Sequence, residues 1–116
     1  MFTAYVVVAV LLSFVLVFSA YAKLVKEEEV TSTMVRLGVP LSWFPVLAGL
    51  EIAGALGLLA GIVYRPLGIA AGIGVTLYFL GAVLSHLRVK DVAGSLVPAV
   101  LTLVAAVPVI LGVGTL

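Results

Sequence analysis

Two ionisable side chains stand out because of where they sit. Glu51 lies in a long apolar run, preceded by Ala48-Gly49-Leu50 and followed by Ile52-Ala53-Gly54. A carboxylate in such a setting is costly to keep charged, so it faces the protein interior and counts as a functional candidate by default. His86 is the single histidine of the chain and closes another apolar run in Gly81-Ala82-Val83-Leu84-Ser85-His86-Leu87-Arg88. Considered alone, His86 suits the negative end of a helix and reaches interfacial water. Together the two residues could hold or move a proton, or anchor the polar end of an apolar ligand. On helices that enter and leave the membrane on one side, Glu51 lies roughly 10 Å deeper than Trp43 at 1.5 Å per residue. Helical side chains lean toward their own N-terminus, so Glu51 and His86 are expected to point at each other, in direct contact or through water. Tyr78, a quarter turn from the His86 stripe, is placed to donate a hydrogen bond to Glu51. Ser13 on the first apolar run could line the same space. The purely structural alternative is a neutral Glu51 tied to Tyr78 or to a backbone carbonyl.

The elements that hold these residues follow from composition. Of 116 residues, 65% are hydrophobic and 9% charged, with a mean hydropathy of +1.43. Soluble domains carry about a quarter charged residues. The chain therefore reads as one all-α integral membrane domain covering residues 1–116. Spanning segments need about 20 apolar residues, and four qualify, at about 2–21, 44–63, 67–87 and 92–111. The expected architecture is an antiparallel four-transmembrane-helix bundle, because backbone groups in lipid must be satisfied within each segment. The first run has no basic leader and is read as a retained span.

The polar segment 23–42 separates the first two spans. Val30, Met34 and Leu37 recur at helical spacing in it, and Gly38 and Pro40 end the pattern. This suggests a short amphipathic helix at the membrane interface, the alternative being a solvated linker. The acidic residues 27–29 read as a solvated face rather than a metal site. Lys23, Lys26, Arg36, Arg88 and Lys90 fall on one side of a four-span chain and Arg65 on the other. The positive-inside rule then places loops 22–43 and 88–91 in the cytoplasm and both termini outside, in what is expected to be a bacterial cytoplasmic membrane. Gly57-x-x-x-Gly61 and Gly68-x-x-x-Gly72 allow close approach of helices, and Lys23, Lys26 and Arg36 would form a docking surface for a neighbouring subunit. Pro108, inside the fourth span, is expected to kink its outer end.

Several classes are set aside. Without cysteine there is no disulfide framework, thiolate-bound zinc or iron–sulfur cluster. No basic stripe suits nucleic acid. No nucleophile, metal cluster or dinucleotide motif accompanies Glu51 and His86, so no catalytic residue is assigned and the chain is not expected to be an enzyme on its own.

Taken in order, Lys23 after the first span, Gly38-Val39-Pro40, Glu51-x-x-Gly54, Gly81-Ala82, Ser85-His86-Leu87-Arg88 and Asp91 resemble the DoxX-like family of small four-helix membrane proteins over nearly the whole chain. That resemblance implies an accessory or assembly subunit of a larger membrane complex, linked to quinone redox chemistry in a respiratory setting. Family members have been connected with quinone-coupled thiosulfate oxidation, oxidant-defence complexes and ion-channel receptor assembly. The alternative is a protein that binds a hydrophobic small molecule, with Glu51, His86, Tyr78 and Ser13 as polar anchors. No cofactor is built in, a bound quinone or lipid is possible, and the partners are the bilayer and other membrane subunits or a second copy.

Overall fold

The computed structural model describes residues 2–115, and of Leu41 the backbone alone. Five α-helices follow one another: α1 (Phe2–Leu24), α2 (Glu28–Arg36), α3 (Phe44–Ala60), α4 (Arg65–Arg88) and α5 (Leu96–Gly114), with a 3-10 turn at Leu41–Trp43 before α3. Among the described residues there is no strand. α1, α4 and α5 are long and apolar enough to cross a membrane, whereas α3 is an apolar helix of 17 residues. At 1.5 Å per residue α3 alone is about 25 Å long, shorter than the expected 44–63 because the chain tightens at its end. Gly61 N–H donates to the Gly57 carbonyl, and Ile62 and Val63 donate to Leu59 and Ala60 in 3-10 fashion.

The fourth hydrophobic run also starts later than its hydropathy suggests. Residues 92–95 form a turn in which Gly94 N–H donates to Asp91 Oδ1 at 3.0 Å and Ser95 Oγ donates to the Val92 carbonyl at 2.6 Å. α5 then continues through Pro108 to Gly114.

Each long helix buries a narrow stripe and leaves the rest apolar and exposed. In α1 the stripe is Tyr5, Ala9, Leu12, Leu16, Ala20 and Lys23. In α3 it is Phe44, Ala48, Glu51, Ala55 and Leu58. In α4 it is Gly68, Gly72, Val75 and Phe79. These spacings of three and four residues are those of a helix with one buried face. Outward residues such as Phe14, 75% exposed, suit lipid and not water. α1 packs on α3 and α5, α3 on α4, and α4 on α5.

Small residues set the closest crossing. A Cβ on Gly57 would lie 2.6 Å from Ala71 Cβ, and one on Gly68 would lie 2.8 Å from Gly61 Cα. Gly57, Gly61 and Gly68 thus bring α3 and α4 together, while Gly72 faces Val109 of α5. At this end Tyr5 donates its hydroxyl to the Leu58 carbonyl at 3.0 Å, and the Arg65 guanidinium lies over the Phe2 and Tyr5 rings.

Candidate functional site: a buried ion pair on the wall of an apolar cavity

The buried stripe of α1 ends on a lysine, and the buried stripe of α3 carries an acid at its centre. The two meet. Lys23 Nζ lies 2.8 Å from Glu51 Oε1 and donates a hydrogen bond to Ser19 Oγ, also at 2.8 Å. Lys23 is 7% exposed and Glu51 1% exposed. The expected direct Glu51–His86 contact is therefore corrected, with Lys23 as the partner of Glu51. The cause is packing: α1 lies directly against α3, and the four-methylene stem of a last-turn lysine spans the remaining distance. Lys23 is likewise corrected as an exposed docking residue, since it is interior.

His86 turns to another carboxylate. Its Nδ1 is 3.0 Å from Asp91 Oδ2, and because an ionised carboxylate only accepts, the proton sits on Nδ1. Arg36 Nη2 donates to the same Oδ2 at 2.9 Å, and Gly94 N–H takes Oδ1. The His86 hydrogen bond, and next the Gly94 amide, hold the Asp91 carboxyl below its usual range. Arg88 Nη2 donates to the Leu37 carbonyl at 2.9 Å. Two arginines thus fasten the end of α2 to the α4–α5 junction, and Arg36, expected as part of a docking surface, is engaged within its own chain. Lys26 stays exposed in the turn after α1, with a left-handed φ of 52°.

Between these two polar clusters lies a cavity of about 590 Å³. Lys23, Glu51 and Ser19 stand on its wall with Tyr78, Ser85 and His86, while Leu47, Leu77 and Leu101 are among its apolar lining. α2 covers one side. Glu27 caps that helix, its carboxylate accepting from the Glu29 and Val30 amides. Val30 and Met34 of this helix, with Leu37 at its end, line the cavity. A second groove, of about 580 Å³, runs between α3 and α4 past Gly54, Gly57 and Gly74, and it shares Glu51 and Tyr78 with the first.

Glu51 has two resident donors beside it: the Lys23 ammonium, paired with Oε1 at 2.8 Å, and the Tyr78 hydroxyl. Tyr78 stands beside the carboxylate on the same wall. Ser13 lies off the cavity, its hydroxyl donating to the Ala55 carbonyl at 3.2 Å, and it ties α1 to α3. Among the described residues no three His, Asp or Glu side chains converge as a metal ion would require. The site can therefore present acceptor oxygens and an ammonium group to a molecule that is otherwise apolar.

Glu51, Tyr78 and His86 thus share one cavity with Ser19, which the motifs pass over, and with Lys23, which they place in a docking surface and not beside Glu51. The signal for Lys23 is its spacing, three residues beyond Ala20 on the stripe that starts at Tyr5. Residues 7–108 match a family model described as the DoxX-like family. No curated protein and no solved structure matches the chain.

Proposed function

The chain belongs to the DoxX-like family, and on that premise we propose that this integral membrane protein binds a hydrophobic small molecule, such as a quinone or a lipid, in the cavity beside Glu51. The observation that carries the reading is the Lys23–Glu51 pair left on the wall of a 590 Å³ space. Ligand sites are apolar hollows of this order with a few placed polar groups. Ionisable groups at membrane depth mark functional paths by default. Lys23, Glu51 and Tyr78 are the head-group anchors in this reading, with His86 on the same cavity's lining. The small-residue groove between α3 and α4 gives an apolar tail a way in from the lipid.

The architecture that goes with it is a four-span antiparallel bundle, with α3 and its flanking turns as the shortest span. Support comes from the order of contacts between α1 and α3, in which Tyr5 meets Leu58, Ser13 meets Ala55 and Lys23 meets Glu51. The cavity end, with its cluster of basic residues, is assigned to the cytoplasmic side of a bacterial membrane, and α2 to the interface above the cavity. A role as accessory subunit of a quinone-linked complex is the second reading, favoured by how little of the chain lies outside the helices.

The test is to purify the protein in mild detergent, release bound molecules with organic solvent and identify them by mass spectrometry. An apolar molecule retained near one per chain, and lost in Glu51→Ala, is the expected result. Equal retention by both proteins, or none, contradicts the proposal.

A further inference from the structure

The short helix α2 roofs one side of the cavity, yet little holds it there. None of its residues is buried, and it meets the cavity through Val30, Thr33 and Met34. Two side-chain bridges tie down its C-terminal end. Arg36 Nη2 donates to Asp91 Oδ2, and Arg88 Nη2 donates to the Leu37 carbonyl, each at 2.9 Å. The Arg36 side chain is 60% exposed, and an exposed bridge of this kind is weak. Both ends of the segment turn through left-handed residues, Lys26 at φ 52° and Gly38 at φ 81°. A few residues at the ends of an element are enough to absorb a hinge rotation.

α2 is also built to stand as a helix by itself. Glu27 caps it, Glu28 and Glu29 open its first turn and Arg36 closes its last, charges that suit the helix dipole. Lifted from the cavity, its apolar side meets the membrane interface, the usual seat of an amphipathic helix. Seated and lifted positions thus both keep Val30 and Met34 out of water, and the bridges decide between them. One bridge reaches the cavity wall. Asp91 Oδ2, which holds Arg36, also accepts from His86 Nδ1 at 3.0 Å, and His86 lines the cavity. Another flank of the cavity borders lipid, because Leu77 and Val97 line it and are exposed on the apolar outer surface.

We propose that α2 is a hinged lid, latched by Arg36 to Asp91, that shuts the cavity off from the aqueous interface while its flank stays open to the bilayer. Apolar molecules enter from lipid with the lid closed. Opening the lid brings water and polar solutes to the wall that carries Lys23, Glu51 and His86. The inference concerns access, and it holds whatever apolar molecule the cavity takes.

The chain has no cysteine, so a single introduced thiol reports on the cavity alone. Ala82 lines the cavity and is half-buried, and Ala82→Cys changes its volume little. The full chain carrying Ala82→Cys is placed in phosphatidylcholine nanodiscs, where reagents reach both membrane faces. Its labelling by a sulfonated maleimide, which stays in water, is compared with labelling by N-cyclohexylmaleimide, which enters lipid. Arg36→Gln and Asp91→Asn, each added to Ala82→Cys, release the latch. Sulfonated labelling is expected to be slow in the latched protein, about fivefold faster with Arg36→Gln and about tenfold faster with Asp91→Asn. N-cyclohexylmaleimide labelling is expected to stay unchanged. Sulfonated labelling that is equally fast with and without the latch overturns the lid. An equal rise for both reagents also overturns it, because the variants then loosen the whole bundle. Retention of an apolar molecule beside Glu51 is measured separately and stands or falls on its own.

Discussion

Breaking the Lys23–Glu51 pair one partner at a time should give unequal losses that do not add. At 2.8 Å and an effective dielectric near 20, the attraction is on the order of 6 kcal/mol. Removing two ions from water costs several kcal/mol each, so the intact pair comes close to balance. Its worth shows when one charge is stranded, at roughly 3–5 kcal/mol. Lys23→Met leaves Glu51 in mid-stripe between Ala48 and Ala55, on a cavity wall with no other lysine or arginine, and should cost about that full amount. Glu51→Gln leaves Lys23 in the last turn of α1, where its long stem can carry the ammonium toward the helix end, and should cost about half as much. The Lys23→Met/Glu51→Gln double variant strands no charge and should sit within about 1 kcal/mol of wild type, for a coupling of roughly 5 kcal/mol. Reversible unfolding in lipid bicelles, followed by helix content or steric trapping, measures all four corners of the cycle. Losses that add within about 0.5 kcal/mol, or a Lys23→Met variant as stable as wild type, would refute the ion pair as described.

The α2 fastening should depend on pH through Asp91. Its carboxyl is held below the ordinary value by His86 and Gly94, so the stabilisation is present above that ordinary value and fades as pH falls through the depressed one. Hydrogen exchange across residues 27–39 should stay slow at neutral pH and quicken only in acid, whereas Asp91→Asn should make it fast throughout without changing exchange in α1 or α3. Fast exchange in the wild type at neutral pH would contradict the fastening. The glycine crossing gives a steric prediction. Gly68→Ala puts a Cβ 2.8 Å from Gly61 Cα and into the Tyr5 hydroxyl, and such overpacking costs about 1–3 kcal/mol. Gly74→Ala, where a Cβ meets open space, should be neutral or stabilising by up to about 1 kcal/mol in the same unfolding assay. Equal losses at the two positions would mean that the crossing is placed wrongly.

Much of the helical pattern is legible in the sequence because lipid imposes long apolar segments, and a one-sided stripe then names the buried face. Spacing alone puts Gly68, Gly72, Val75 and Phe79 on one such face, and Glu51 with Ala55 and Leu58 on another. Local chemistry blurs the ends. Gly61 and its neighbours tighten into 3-10 turns, and Asp91 holds the chain out of helix until Ser95. Which ionisable groups pair is harder to read, because it depends on the lateral order of helices. The lean of helical side chains toward their N-termini aims Glu51 and His86 at each other, but α1 lies against α3 and delivers Lys23 first. The lysine is conspicuous only as the end of a span, where a solvated role is the ordinary one. His86 goes to an aspartate five residues away in sequence, a contact made by the turn after α4.

A crystal structure of the protein grown from a lipidic mesophase tests the central claim most directly. It should show Lys23 Nζ in ion-pair contact with Glu51, and non-protein density in the cavity between that pair and α2. A cavity closed by Met34, Leu47 and Leu101, with Glu51 turned away from Lys23, would contradict it.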